Sequence, residues 1–448
     1  MTESSPDDRL SVGTLHYTSS GLVRVFIWLL TGSLGFGLVT SAVPTLLPLT
    51  LRELGTNNLV IGLFVGSIPA LINLLVNPVV SFKSDRTRTR WGRRRPYLLA
   101  ATPAIGLLLA LIGWTGPLMR SLPIPSDYVT VCAIVFLGVV VVAYQIFYML
   151  VGSTIYYLFV DVMPAHYLGR YTALFNMVGA LKGFLFNRYC LQYADGYAPQ
   201  LYTAIAAVYT VLMLVMIRNV KEGEYPPVTD GGKNTPVWEC IRIYCRECFS
   251  IPFYLWIFLA TGINSSSTVC RSLFGIFFAR DELGLSLEKI GTVNGYAGLL
   301  AAVLALPLGF LNDRIHPLKI FTFGGILVIA INACSFFLIR DYPSYFFWTM
   351  LLMGAYTLQL SSSLPMTAAL FPRSHYGQFG SAQAMCVSVL LIVANLGGGI
   401  FMDRIGNYRY LYVWDFILTC IALFSLVVVF VLWKKYGGEK NYTAPLRT

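Results

Sequence analysis

Long apolar runs alternate with short polar breaks along the whole chain, and the runs are too long to be strands. A helix needs about 20 apolar residues to cross about 30 Å of hydrocarbon. Twelve runs reach or approach that length, near residues 22–50, 58–82, 96–116, 128–160, 171–193, 200–217, 251–279, 288–311, 318–339, 345–370, 378–402 and 411–433. The pattern predicts an all-α polytopic membrane protein with twelve transmembrane helices. Two runs hold cations: Lys182 and Arg188 in 171–193, and Arg271 in 251–279. Residues 1–20 are polar, and the run that follows is too long for the h-region of a cleavable signal, so it reads as a signal-anchor and first span.

The longest polar break, 218–250, contains KEGEYPPVTDGGKNTP and reads as a linker, with a short interfacial helix expected from Trp238 to Phe249. It divides the chain into a six-helix half at 1–217, a cytosolic linker at 218–250 and a second six-helix half at 251–448. The halves echo each other. Ser81-x-x-x-Asp85-Arg86 follows the second run and Gly309-x-x-x-Asp313-Arg314 the eighth. Pro164-x4-Gly169 follows the fourth, and Pro372-x4-Gly377 the tenth. Matching echoes at matching places imply internal duplication, as in transporters built from parallel repeats.

Composition agrees with this reading. Of 448 residues 56% are hydrophobic and 12% charged, with mean hydropathy +0.67. A soluble domain carries about 25% charged residues, so a soluble enzyme, a disordered chain and a disulfide-rich secreted module are excluded. The net charge of +11 would suggest nucleic acid in a soluble protein. Here the basic residues gather in alternate loops, including Lys83, Arg86, Arg88, Arg90, Arg93, Arg94 and Arg95 in one short loop. The positive-inside rule then places both termini in the cytosol and makes membrane lipid, not nucleic acid, the partner of the charge. Most of the nine cysteines lie in apolar runs, where a thiol packs as a small hydrophobe. Cys240, Cys245 and Cys248 are polar-segment exceptions, but a closed zinc site needs a fourth ligand, so no metal is expected. No nucleophile elbow, phosphate loop or other catalytic constellation is present, and neither enzyme activity nor a cofactor is expected.

The loop Ser84-Asp85-Arg86-Thr87-Arg88-Thr89-Arg90-Trp91-Gly92-Arg93-Arg94-Arg95-Pro96 resembles the loop between spans two and three of major-facilitator transporters. Its length and Trp91-Gly92 ending resemble the glycoside–pentoside–hexuronide group, which includes melibiose permease, and the related plant sucrose and animal sugar transporters. Asp161-Val162-Met163-Pro164 with Gly169-Arg170 is a second match, and Tyr408-Arg409-Tyr410 after Asp403 a weaker third. The resemblance implies a major-facilitator fold and transport of a sugar or small glycoside by alternating access, with a proton or sodium ion as the usual driver. It also implies that Asp85, Arg86 and Arg95 form a gate with Asp161 and Arg170, mirrored by Asp313 and Arg314. Sodium-coupled members carry two carboxylates on span two. Asn73 and Asn77 stand at the matching positions here and bring no charge to balance a cation.

Polar residues inside spans are expensive unless they face a partner or a water-filled cavity. Gln145, Lys182, Asn264 and Gln359 lie near mid-span. Amides and hydroxyls match the donor and acceptor pattern of a sugar, and aromatic faces suit its apolar surfaces. Gln145, Tyr148, Lys182, Asn264, Arg271, Tyr356 and Gln359 are therefore the candidate substrate contacts. Interhelical hydrogen bonding is the alternative for the amides. No carboxylate is evident at the depth of Lys182 or Arg271, since Asp161 falls at a cytosolic span end and Asp415 near an external one. The two cations raise an anionic sugar such as a hexuronide as the alternative cargo, while snorkelling to the external surface is the alternative for Arg271. A non-transporting membrane sensor or scaffold is the alternative of another class. A plasma or bacterial inner membrane is the expected location.

Overall fold

The computed structural model describes residues 11–445 apart from 13, 88, 124, 224–247, 373 and 374. A short hairpin, β1 (Ser11–Val12) antiparallel to β2 (Leu15–His16), precedes the helices. In the first half these are α1 (Ser19–Glu53), α2 (Asn58–Ile61), α3 (Ile68–Arg86), α4 (Arg95–Ser121), α5 (Ser126–Val162), α6 (Ala165–Leu185) and α7 (Ala194–Asn219). The second half has α8 (Pro252–Ser267), α9 (Val269–Phe277), α10 (Leu287–Arg314), α11 (Pro317–Leu338), α12 (Tyr342–Leu370), α13 (Tyr376–Ile405) and α14 (Leu411–Lys435).

Nine stretches among the described residues are long and apolar enough to cross a membrane. One of them, Leu174–Asn219, takes in the runs predicted at 171–193 and 200–217. The runs predicted at 251–279 and 345–370 are not among the nine. Both are helical, but the helix Pro252–Ser267 stops at 16 residues, and Gln359 with Ser361–Ser363 makes Tyr342–Leu370 too polar to qualify on apolarity. The seventh run is also broken rather than continuous. Ser265, Ser266, Ser267 and Thr268 turn their hydroxyls back onto Thr261, Gly262, Asn264 and Ser265 carbonyls. Such back-bonding bends helices, and α8 gives way to α9 at Thr268.

Contacts divide the chain into two compact units: Met1–Thr56 with Leu71–Thr229, and Asn57–Ala70 with Asp230–Thr448. The units differ from the halves of the sequence in one segment, Asn57–Ala70, which holds α2 and the π-helical turn Gly62–Ser67. Close backbone approach explains its place. A Cβ on Gly399 of α13 would lie 2.6 Å from the Leu59 Cα, and one on Gly62 would strike the Asn395 carbonyl. In the first unit, glycines again let helices meet. Gly32 and Gly35 of α1 receive Met216 and Leu212 of α7, and Gly113 of α4 receives Tyr202. Small residues at helix seams are the usual means of packing where lipid leaves no hydrophobic drive between helices.

Candidate functional site

The second unit contains a pocket of about 540 Å³. The polar stretch of α8 brings Thr261, Asn264 and Ser265 to it, the break after it brings Thr268, α12 brings Tyr356, Thr357, Gln359 and Ser363, and α13 brings Gln383. Gln359 Nε2 donates to Asn264 Oδ1 at 3.1 Å, and Gln383 Nε2 to Thr261 Oγ1 at 3.0 Å. Each amide thus spends one group on a neighbour and keeps others for a ligand. The expected trio Asn264, Tyr356 and Gln359 converges here. Gln383 was not among the expected residues, though an amide within the apolar run 378–402 carried the same signal.

Arg271 departs from expectation. Its guanidinium neither snorkels nor lacks a carboxylate: Nη2 lies 2.9 Å from Asp415 Oδ2 and 2.5 Å from Asn332 Oδ1. Asp415 is fully buried, and it also accepts from the Tyr356 hydroxyl and from Thr419 Oγ1 at 3.2 Å. The Tyr412 ring lies 4.7 Å from the guanidinium. Arg271 lies on α9, just past the break at Thr268, and meets Asp415 of α14. Asp415 near one span end and Arg271 near the end of another are at the same depth, which span numbering alone did not make plain.

In the first unit, Tyr144, Tyr148 and Phe36 form a stack with centroids 5.7 and 5.1 Å apart, and Tyr148 donates to Thr40 at 3.0 Å. Gln145 is buried. Lys182 reaches the backbone of α1 at Gly37, where any Cβ would occupy the place of its ammonium. The Phe175 ring lies 5.8 Å from Nζ. Among the described residues no hydrogen bond or ion pair meets this ammonium. Asn73 is exposed.

Two residues expected at the gate, Asp161 and Arg95, meet other partners than each other. Asp161 is held by Arg93 (Nε to Oδ2, 3.0 Å) and Arg94 (3.1 Å), two arginines of the same basic loop. Arg95 instead donates from Nε to the Ile217 carbonyl at 2.9 Å. The reason is the start of α4: Glu222 accepts the backbone N–H groups of Arg93, Arg94 and Arg95 at 2.8–3.2 Å. This turns Arg95 toward α7. Gly92, at φ +102°, makes room, since a Cβ there would lie 2.5 Å from the Glu222 carboxyl carbon. Glu222 was assigned only to a linker. Arg314 is exposed. The side chains of Asp85, Arg86, Arg170, Asp313 and Asn77 lie outside the described residues, as do Cys240, Cys245 and most of Trp238–Phe249. Cys248 is buried. Among the described residues no group of metal-ligating side chains is found.

A second capping carboxylate lies in the second unit. Asp403, at the end of α13, accepts the N–H of Asn58 at 2.9 Å and of Leu59 at 3.0 Å. The Tyr408 hydroxyl donates to Asn58 Oδ1 at 2.9 Å. The motif noted at Asp403 and Tyr408 is thus an anchor for the start of α2.

Apolar helices, closely packed and interrupted by a polar pocket, define an integral, multi-pass membrane protein. Residues 29–403 match the family described as MFS/sugar transport protein, and the chain belongs to that family. Among curated relatives it is similar to the lysosomal dipeptide transporter MFSD1 of Bos taurus, 24% identical over 217 residues. That match covers 47% of this chain and 44% of the relative, so the chain spans less than half the length of the curated relatives it matches. Among solved structures it is similar in fold to a bacterial homolog of the human lysosomal transporter Spinster, in an inward-facing and occupied conformation. The TM-score is 0.67 at 12% identity, over 95% of this chain and 98% of that one. It is equally similar in fold to the xylose transporter XylE from E. coli, with TM-score 0.67 at 12% identity, over 94% and 98% of the two chains.

Proposed function

We propose that this protein carries a small polar organic solute, a sugar or small glycoside in the first instance, across its membrane by alternating access of two six-helix halves. Twelve spans with both termini cytosolic are part of this reading. The observation that carries it is the second-unit pocket, whose Asn264, Gln359 and Gln383 offer paired donors and acceptors inside an otherwise apolar helix bundle. A neutral polyol satisfies such groups without bringing a charge into the membrane. The test is uptake into proteoliposomes of a panel of neutral glycosides, hexuronides and dipeptides. Asn264→Ala and Gln359→Ala each weaken uptake of the accepted solute by about tenfold, the loss of one hydrogen bond of about 1.4 kcal/mol. Undiminished uptake in both variants would sink the pocket as the binding site. Solute binding without flux in the intact protein would replace the carrier by a sensor.

One observation favours a second reading, a solute that carries a carboxylate. The Lys182 ammonium has no anionic partner among the described residues, and an unpaired charge in a span wants a counter-ion. A hexuronide has the required group, and so does a dipeptide, the solute in the name of the bovine relative. Under this reading Lys182→Met abolishes uptake of carboxylate-bearing solutes and spares their neutral counterparts. Equal effects on both classes would remove it.

A further inference from the structure

We propose that Tyr17 and Tyr442 are matching positioning residues: Tyr17 straps the end of α5 and Tyr442 the end of α12, and each strap restrains the conformational step of transport. The proposal rests on the carrier reading for its use, but not for the straps themselves. The Tyr17 hydroxyl donates to the Val162 carbonyl at 3.1 Å, and the Tyr442 hydroxyl to the Leu370 carbonyl at 2.6 Å. Val162 is the last residue of α5 and Leu370 the last of α12. These helices are the fourth and tenth apolar runs, equivalent under the duplication read from Pro164-x4-Gly169 and Pro372-x4-Gly377. Each accepting residue stands two positions before its repeat's proline.

The prolines explain the need. A residue before proline is pushed into extended backbone, and Met163 at ψ 130° and Phe371 at ψ 150° both adopt it. The helix therefore stops, and its last carbonyls lose the N–H groups that a further turn would bring. Met163 and Phe371 each close the final turn by donating their own N–H to Phe159 and Thr367 carbonyls, at 3.1 and 2.9 Å. Val162 and Leu370 are fully buried, where an unpaired carbonyl is costly. A tyrosine supplies the missing donor in both units. Burial keeps it a donor, pushing the Tyr17 hydroxyl up to about 12 and the Tyr442 hydroxyl also above its ordinary value.

Each strap is tied at its far side. Tyr17 directly precedes Thr18, the N-cap of α1, and the hairpin before it lies against Gly223, where a Cβ would come 2.9 Å from Thr14 Oγ1. Asp161, beside Val162, is the carboxylate that Arg93 and Arg94 hold, so strap and ion pairs meet at one corner. After α14, Glu439 pairs with Lys319 of α11 at 2.7 Å, and the Pro445 carbonyl accepts from the Tyr254 hydroxyl at 2.9 Å. Tyr442 lies between these two anchors. The first strap joins the start of α1 to α5, and the second joins the end of α14 to α12. A step that draws either pair of helix ends apart must break the tyrosine bond. The candidate contacts Tyr148 and Gln359 lie about 21 Å and about 16 Å back along the two helices at 1.5 Å per residue. Release of a strap therefore acts on rate and not on affinity.

The test uses Tyr17→Phe and Tyr442→Phe in the full chain, each of which keeps the ring and loses the hydroxyl. Amide exchange in nanodiscs is read by mass spectrometry. Tyr17→Phe is expected to speed exchange by about fivefold at residues 159–163 and to leave 367–371 unchanged, and Tyr442→Phe to do the reverse, the factor that one net hydrogen bond carries. In proteoliposomes with the solute panel, each variant is expected to raise the maximal uptake rate by up to about fivefold with KM held within about twofold. Local changes in exchange with no solute of any class carried uphold the straps and defeat the carrier reading. Exchange unchanged at both corners, exchange raised evenly along the chain, a maximal rate no higher than that of the natural chain, or a KM that moves with the rate overturns the proposal.

Discussion

His316 closes the turn into α11 by accepting the Leu318 N–H at Nδ1, 3.2 Å away, a bond that needs the neutral ring. Burial is the leading reason its pKa lies below the ordinary 6.5, with Lys319 acting in the same direction and Glu439 opposing it. The sign follows from linkage: a group with a depressed folded value contributes stability that is present above its unfolded value and lost as pH falls toward the folded one. Thermal unfolding in detergent should therefore shift downward as pH drops from about 7.5 to about 5.5, and His316→Gln should flatten the slope. A slope unchanged by that substitution would refute the assignment. Site residues were partly legible at this scale. Asn264, Tyr356 and Gln359 announced themselves as polar groups in apolar runs, and the structure brings them to one pocket. The pairing of Arg271 with Asp415 was hidden although both were placed toward the external side, because depth along one helix says nothing about which face meets which neighbour. Glu222 was hidden for another reason: a carboxylate in a polar segment looks solvated until the amides it caps are known.

Helix ends and close approaches govern the elements. Three N–H groups at the start of α4 depend on Glu222, so Glu222→Ala should lower stability by about 1–2 kcal/mol. The change would read out as a lower unfolding temperature and faster amide exchange at the first turn of α4. An unaltered exchange pattern would show that water caps those groups equally well. The seam of α13 with α2 makes a sharper prediction. Gly399→Ala places a methyl 2.6 Å from the Leu59 Cα and 2.7 Å from the Asn58 carbonyl oxygen, neither of which is a flexible side-chain end. Residues 57–70 should lose exchange protection while α4 and α7 keep theirs. Protection lost evenly along the chain would mean a general loss of fold instead. Periodicity located these helices well, because a run long enough for the bilayer has few other forms. It could not locate the break at Thr268, where hydroxyls compete for carbonyls, nor the π-helical turn at Gly62–Ser67.

For the whole molecule, the family and the all-helical membrane fold were legible from the loop around Trp91-Gly92 and from the number of apolar runs. The division into units was not, since Asn57–Ala70 is placed by contacts with residues far away in sequence. The proposed topology has a simple check: epitope tags before Met1 and after Thr448 should both be shielded from protease in sealed, right-side-out vesicles. Digestion of one tag alone would require an odd number of spans. The cap on α2 has a further consequence, in time rather than in space. Asn58 and Asp403 are 345 residues apart. At about 5–20 residues per second, the ribosome delivers the cap roughly 20–70 s after the helix start has emerged. Throughout that interval the first amides of α2 must be satisfied by headgroup water or by an insertion chaperone. Nascent chains that stall before Asp403 should therefore be the ones that quality control removes.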